Sequence, residues 1–261
     1  MLSAMLRVHC LQLFYNRSDP GMEDALYEVE SMRRFASLPL DRLPDETTIL
    51  NFRRLLERHG LGKKLFNEIN GHLGELGLVL KEGTIVDATI IAAPSSTKNA
   101  SEARDPEMHQ VKKGNAWHFG MKMHIGVDES LGLIHSVETT PANVADIAVT
   151  DKLLHGAEKN VWGDAGYQGV EKREEHADRE VNWFVALRRS KLKDLPKSDP
   201  LGGAEKIKAS MRAKVEHPFL YIKQVFGYSK VGYGGLLKNT NRLHVLAGFT
   251  NLLRMRKCLL A

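Results

Sequence analysis

The chain has 261 residues, 43% hydrophobic and 26% charged, a balance that excludes disorder and suits one large domain or a domain with a small helical companion. Lys and Arg outnumber Asp and Glu by 37 to 32, for a net charge of +5, which favours a polyanionic partner such as nucleic acid without establishing one. No apolar run reaches the ~20 residues of a membrane span, and the first residues lack a signal-peptide pattern. Cys10 and Cys258 form no CxxC or zinc spacing, so buried structural thiols, a reducing cytoplasm and no membrane partner are expected.

Up to about residue 78 the pattern is helical. Met5, Val8, Leu11 and Leu13 open a first helix, and the turn residues of Asn16 to Gly21 break it. Met22 to Phe35 reads as a second helix. Leu43-Pro44-Asp45-Glu46-Thr47 starts another, ahead of Ile49, Phe52, Leu55 and Leu56. Two short helices with a turn between, the latter carrying Asn51, Arg53, Arg54 and Arg58 outward, fit a helix-turn-helix DNA reader. A plain helical bundle with a solvated basic face fits as well.

After residue 80 the character changes. Thr84 to Ile91 is a β-rich apolar run behind Gly83, hence a buried strand. Pro94 to Gly114 reads as a long basic loop. Trp117 to Val127 alternates, with Trp117, Phe119, Met121, Met123, Ile125 and Val127 on one face and His118, Lys122 and His124 on the other. Asp128 to Gly132 turns the chain, and Leu133 to Thr139 returns as the partner strand. Ala145 to Leu154 is expected as a helix, Val161 to Asp164 as a buried strand, Val170 to about Arg179 as a charged helix and Val181 to Ala186 as a strand. A basic loop over Arg188 to Lys197 precedes helices over Ala204 to Phe226 and Asn241 to Lys257. This order predicts an α/β fold on a mixed sheet, with a helical region over 1–78 and the main domain over 80–257.

Asp87 stands mid-strand between Val86 and Ala88, where a lone ionised carboxylate costs several kcal/mol unless it is paired, solvated or metal-bound. Asp164 closes a second apolar strand just before a glycine-containing turn, the place where ligand groups collect in α/β sheets; an ordinary turn aspartate explains it equally well. Glu216 lies in a helical repeat of Ile207, Met211, Val215, Phe219, Ile222 and Phe226 that runs through Pro218, where a kink or frayed turn is expected. If the helix continues, Arg212, Glu216 and Lys223 fall within about 40° of one another; a surface ion-pair row is the alternative. Together, two strand-borne aspartates and a helix-borne glutamate, 77 and 52 residues apart, form a set suited to Mg²⁺ or Mn²⁺, and two such ions can activate a water or 3′-hydroxyl and stabilise a leaving oxygen.

Several longer stretches carry a family resemblance: Val86 to Ile91, Ala93-Pro94-Ser95-Ser96-Thr97-Lys98-Asn99, Asp105-Pro106-Glu107-Met108-His109, Trp117-His118-Phe119-Gly120-Met121-Lys122, Asp164-Ala165-Gly166-Tyr167-Gln168-Gly169, and Val215-Glu216-His217-Pro218-Phe219 with Lys223. In these the chain resembles the DDE transposases of insertion sequences, most closely the insertion-sequence-five family. The resemblance implies an RNase H-like core and metal-dependent cleavage and strand transfer at element ends. It further implies a double-stranded DNA partner with terminal inverted repeats and a homodimer in a synaptic complex, in the cytoplasm of a bacterium at its nucleoid. It places the metal-binding carboxylates on Asp87, Asp164 and Glu216, and the accompanying cations on Arg212 and Lys223. The superfamily's tyrosine before the arginine is Ala209 here. Relatives carry more chain before Met5, so a truncated copy is one expectation. A non-catalytic DNA-binding remnant and an RNase H-like nuclease without transposition are the rival readings.

Other signals carry less. Lys98, Arg104, Lys112, Lys113, Arg188, Arg189, Lys191 and Lys193 are expected to track phosphate, with solvated loop charge as the competing reading. His118 and His124 lack a third ligand for zinc, Asp128 and Asp146 read as turn and helix-start residues, and no nucleotide-cofactor motif occurs. Trp117, Trp162 and Trp183 read as core residues.

Overall fold

The computed structural model describes residues 2–78, 82–100, 102–188, 190 and 199–260. Its first part is helical: α1 (Leu2–Phe14), α2 (Asp19–Glu28), α3 (Glu30–Ala36), α4 (Glu46–Arg58) and α5 (Leu61–Glu75). Ser18 caps α2 by accepting from the Gly21 amide, with Pro20 in the first turn. Asp45 caps α4 through the Thr48 amide at 2.7 Å. Met5, Val8, Met22, Leu26, Met32 and Ile49 form the shared core of α1 to α4. The single helix expected over Met22 to Phe35 is instead two, because Val29 is extended (φ −107°, ψ 100°) and turns its apolar side chain onto that core. Arg53 does not face outward as expected. It is buried and bonds Asp19 and Glu57, a satisfied charge inside the bundle.

The sheet among the described residues has six strands: β1 (Gly83–Ala92), β2 (His109–Lys113), β3 (Ala116–Asp128), β4 (Ile134–Pro141), β5 (Asn160–Gly163) and β6 (Asn182–Val185). β1 is central, antiparallel to β3 and parallel to β5, while β3 pairs antiparallel with β4 and β5 parallel with β6. Three antiparallel strands followed by two parallel ones around a first central strand is the RNase H-like arrangement. β2 extends it, pairing with the outer end of β3. The Pro94 to Gly114 stretch is thus a loop only to Met108.

α6 (Thr150–Leu153) follows a short 3₁₀ turn, Asp146–Val149. The charged helix expected from Val170 is two 3₁₀ turns, Val170–Lys172 and Glu174–His176. Gly169 at φ 88° bounds the first turn, and the extended Arg173 separates it from the second. α7 (Pro200–Leu220) and α8 (Leu236–Leu259) cover one face. Val215 and Phe219 from the first, Ile222 just beyond it, and Leu243, Leu246 and Ala247 from the second pack on Ile85, Ile91, Met121, Met123 and Ile125. α8 is enclosed nearly throughout, and even its Asn239, Asn241, Arg242 and Asn251 are buried. The cysteines depart from expectation: Cys10 is half-buried and Cys258 exposed.

Candidate active site

Register alone places the two aspartates together. Ile85 of β1 lies level with Trp162 of the parallel β5, so two residues further along each strand Asp87 and Asp164 emerge on one face. That face is the one covered by α7, since Asp87 lies opposite Ile125. The ladder between β1 and β5 stops at Ile85, and the next chain on that edge meets β1 only at Ala92, through Ser229 and Val231. The aspartates therefore sit where the parallel strands diverge, at their carboxyl ends, the position of ligand crevices in α/β sheets.

Asp87 is partly buried, and its Oδ1 accepts from the Ala88 amide at 2.7 Å. Burial raises its carboxyl to about 7, a rise that the Ala88 amide opposes; the charges of Asp164 and Glu216 push upward too, and Arg212 pulls downward. Asp164 caps the next turn, Ala165–Tyr167, accepting from the Gly166 amide at 2.7 Å. Arg212 is half-buried, its Nε enclosed without a hydrogen-bond partner among the described residues. Glu216, on the same helix, is exposed.

Helix α7 runs through Pro218 instead of fraying there. The chain beyond it, Tyr221–Val225, widens into a π-helical turn that carries Lys223. Burial lowers the Lys223 ammonium from its usual range, as does the charge of Lys113, against the pull of Glu216. Asp87 thus lies within electrostatic reach of Asp164, Arg212 and Glu216, and Glu216 within reach of Lys223, with Asp87 and Asp164 as the floor.

Two residues to which sequence alone gives no catalytic role belong to the same neighbourhood. Asp146, expected at a helix start, does begin a 3₁₀ turn, but it also accepts from Lys122 Nζ at 2.8 Å. A Cβ built on Gly166 would stand 2.9 Å from Asp164 Oδ1 and 4.0 Å from Asp146 Oδ2, which puts both carboxylates around that glycine. Tyr167 lies beneath them with its hydroxyl buried and without a partner among the described residues. Burial raises that phenol well above its usual range, and Asp87, Asp146 and Asp164 add to the rise. The Asp164 to Gly169 motif carries a signal for Tyr167; nothing local in the sequence pairs Asp146 with Lys122.

Among the described residues no three His, Cys, Asp or Glu side chains stand close enough together to hold one ion. The donor chemistry nonetheless suits a hard divalent cation, because every candidate ligand is a carboxylate oxygen. A cation would also relieve the burial and repulsion that raise Asp87.

Of the expected phosphate-tracking residues, Lys98, Arg104, Lys112, Lys113 and Arg188 are exposed; Arg189, Lys191 and Lys193 lie outside the described residues. His124 is buried and bonds Thr140. Trp162 is a core residue, stacked on Phe184 and donating to Glu129, and Trp183 is half-buried. Trp117 is not a core residue, being 66% exposed. No helix among the described residues is long and apolar enough to cross a membrane.

The Mos1 transposase in its paired-end complex with the left transposon end has 13% identity and a TM-score of 0.24, over 98% of this chain and 77% of that one. The Mos1 strand transfer complex has 12% identity and a TM-score of 0.22, over the same shares. Likenesses this distant carry no argument about this chain. Family models are another matter: residues 1–55 match the transposase domain known as DUF772, and residues 80–252 match the transposase DDE domain. The second match spans most of the chain and holds Asp87, Asp164 and Glu216, so the chain belongs to the DDE-domain transposases.

Proposed function

We propose that this chain cuts DNA at the ends of a mobile element and joins those ends to new DNA. The observation that carries this reading is the meeting of Asp87 and Asp164 at the diverging carboxyl ends of β1 and β5, under a helix bearing Arg212 and Glu216. In this reading Asp87, Asp164 and Glu216 would hold Mg²⁺ or Mn²⁺. When bound, such ions supply activation of the attacking hydroxyl and stabilisation of the leaving oxygen. Arg212 and Lys223 bind the scissile phosphate, whose charge their own carboxylate neighbours would otherwise repel. The exposed Lys98, Arg104, Lys112, Lys113 and Arg188 track the flanking backbone, as Arg189 would.

The partner is double-stranded DNA with terminal inverted repeats, held by a homodimer in a synaptic complex. Residues 1–78 act as a helical DNA-docking region and 80–257 as the catalytic domain, in a cytoplasmic protein. A plasmid carrying inverted repeats, incubated with Mg²⁺ or Mn²⁺, tests the assignment. Asp87→Asn, Asp164→Asn and Glu216→Gln should each lower cleavage at least about 10²-fold and leave DNA binding near wild type. Near-normal cleavage by any one variant removes that residue from the site. Joining of a pre-cleaved end separates a transposase from a plain nuclease.

A further inference from the structure

Beyond Gly120 the outer end of β3 and its partner β2 form a hairpin at the edge of the sheet. At that glycine the chain runs so close to β1 that a Cβ would fall 2.1 Å from the Ile91 carbonyl oxygen. Past it, neither β1 nor β4 pairs with β3, and the hairpin carries Lys112, Lys113 and the exposed Trp117. It begins level with Ala92, at the end of the strand that carries Asp87.

Trp117 and Phe119 share one face of β3 and line a cleft of about 310 Å³ with Arg104, Gln110 and His118. The Arg104 guanidinium lies 5.4 Å from the Phe119 ring centre and donates from Nε to the Ser95 carbonyl. Trp117, 66% exposed, presents its indole at this cleft. Its setting is a cleft with two aromatic side chains, a guanidinium and an amide, beside two lysines. Aromatic faces accept any base by stacking, polar groups meet base edges, and lysines take the adjoining phosphates.

We infer that the Trp117–Phe119 cleft is a nucleobase-binding site, which stacks an unpaired base of the DNA strand next to the active site on the Trp117 indole. The inference rests on the proposed DNA-cutting function and adds a single-stranded requirement to it.

Two fluorescein-labelled probes test it: a blunt duplex, and the same duplex with a short single-stranded overhang containing 2-aminopurine. The full-length wild-type chain, Trp117→Ala and Trp117→Phe are compared for affinity and for 2-aminopurine fluorescence. The wild type should prefer the overhang probe and quench its fluorescence. Trp117→Ala should lose about 5- to 150-fold on that probe alone, the range for losing one base–aromatic stack, with quenching abolished. Trp117→Phe should retain part of both effects. Equal losses on both probes, or no loss on either, overturn the stacking site while leaving DNA cutting intact. Failure of the folded wild type to bind either probe overturns both proposals.

Discussion

His9 is 3% exposed, lying edge-on to Phe52 and sharing a contact with Gln12. Its imidazole is lowered from 6.5 to about 4, mainly by burial and also by the nearby Arg242 and Arg53, against the Gln12 contact and Asp19. Between those two values the unfolded chain binds a proton that the folded chain refuses. Stability from this residue is therefore complete above about pH 6.5 and is lost as pH falls towards 4. His9→Gln should remove about 2 kcal/mol of the stability lost between pH 7 and pH 5. Urea midpoints of the wild type and variant at both pH values measure it; an equal acid loss in the two proteins contradicts the assignment. Asp87 is similarly legible as an anomaly, since a carboxylate inside a β-rich apolar run needs a reason. The exposure of Trp117 is not legible, because alternation reports which face a residue takes and says nothing about where the sheet's cover ends.

At the scale of elements, Arg53 ties α2 to α4. Its guanidinium lies 2.8 Å from Asp19 and 2.9 Å from Glu57, and 4.4 Å from the centre of the Tyr233 ring. Arg53→Met leaves two acids partly or wholly enclosed without their cation, a change that costs about 3–5 kcal/mol. Arg54→Met at the exposed next position should shift stability by no more than about 0.5 kcal/mol. Chemical denaturation of both variants decides it, and similar small losses would show that water reaches Asp19 and Glu57. Sequence alone does not reveal this tie, because Asp19 is distant along the chain and a run of arginines on a short helix looks solvated. By contrast β1, β3 and α7 are readable, β1 as a β-rich apolar run and β3 and α7 by apolar periods of two and of three to four residues. The region after Val170 departs from its expected helix for the converse reason. Its charged composition suits a helix, while one left-handed glycine and one extended arginine decide the backbone.

For the molecule as a whole, the family motif Asp105-Pro106-Glu107 has a structural reason that no local pattern discloses. Asp105 Oδ2 accepts from the Gly235 amide at 2.7 Å, and Glu107 accepts from the Leu236 amide. Two acids from the loop after β1 thus satisfy the open amides at the start of α8 and oppose its dipole. The double variant Asp105→Ala/Glu107→Ala should lose about 1–3 kcal/mol. Hydrogen exchange should show faster exchange at the first turn of α8, and unchanged rates there would assign the loss elsewhere. The RNase H-like topology is implied by the family motifs, yet the placement of α8 within it is not, because its polar residues give no sign that they are buried.

That placement has a consequence for how the chain comes to be active. Asp105 and Gly235 are 130 residues apart, and Asn251, near the end of α8, holds the Ile134 amide and carbonyl and the Asn70 side chain. During synthesis the strands that bear Asp87 and Asp164 leave the ribosome well before the helix that fastens their loop, their hairpin and α5. A nascent chain therefore carries Asp87 and Asp164 before the helix that fixes the surrounding elements is in place. On the proposed function, cutting competence should arise in one late step, when α8 docks and closes contacts across more than half the chain.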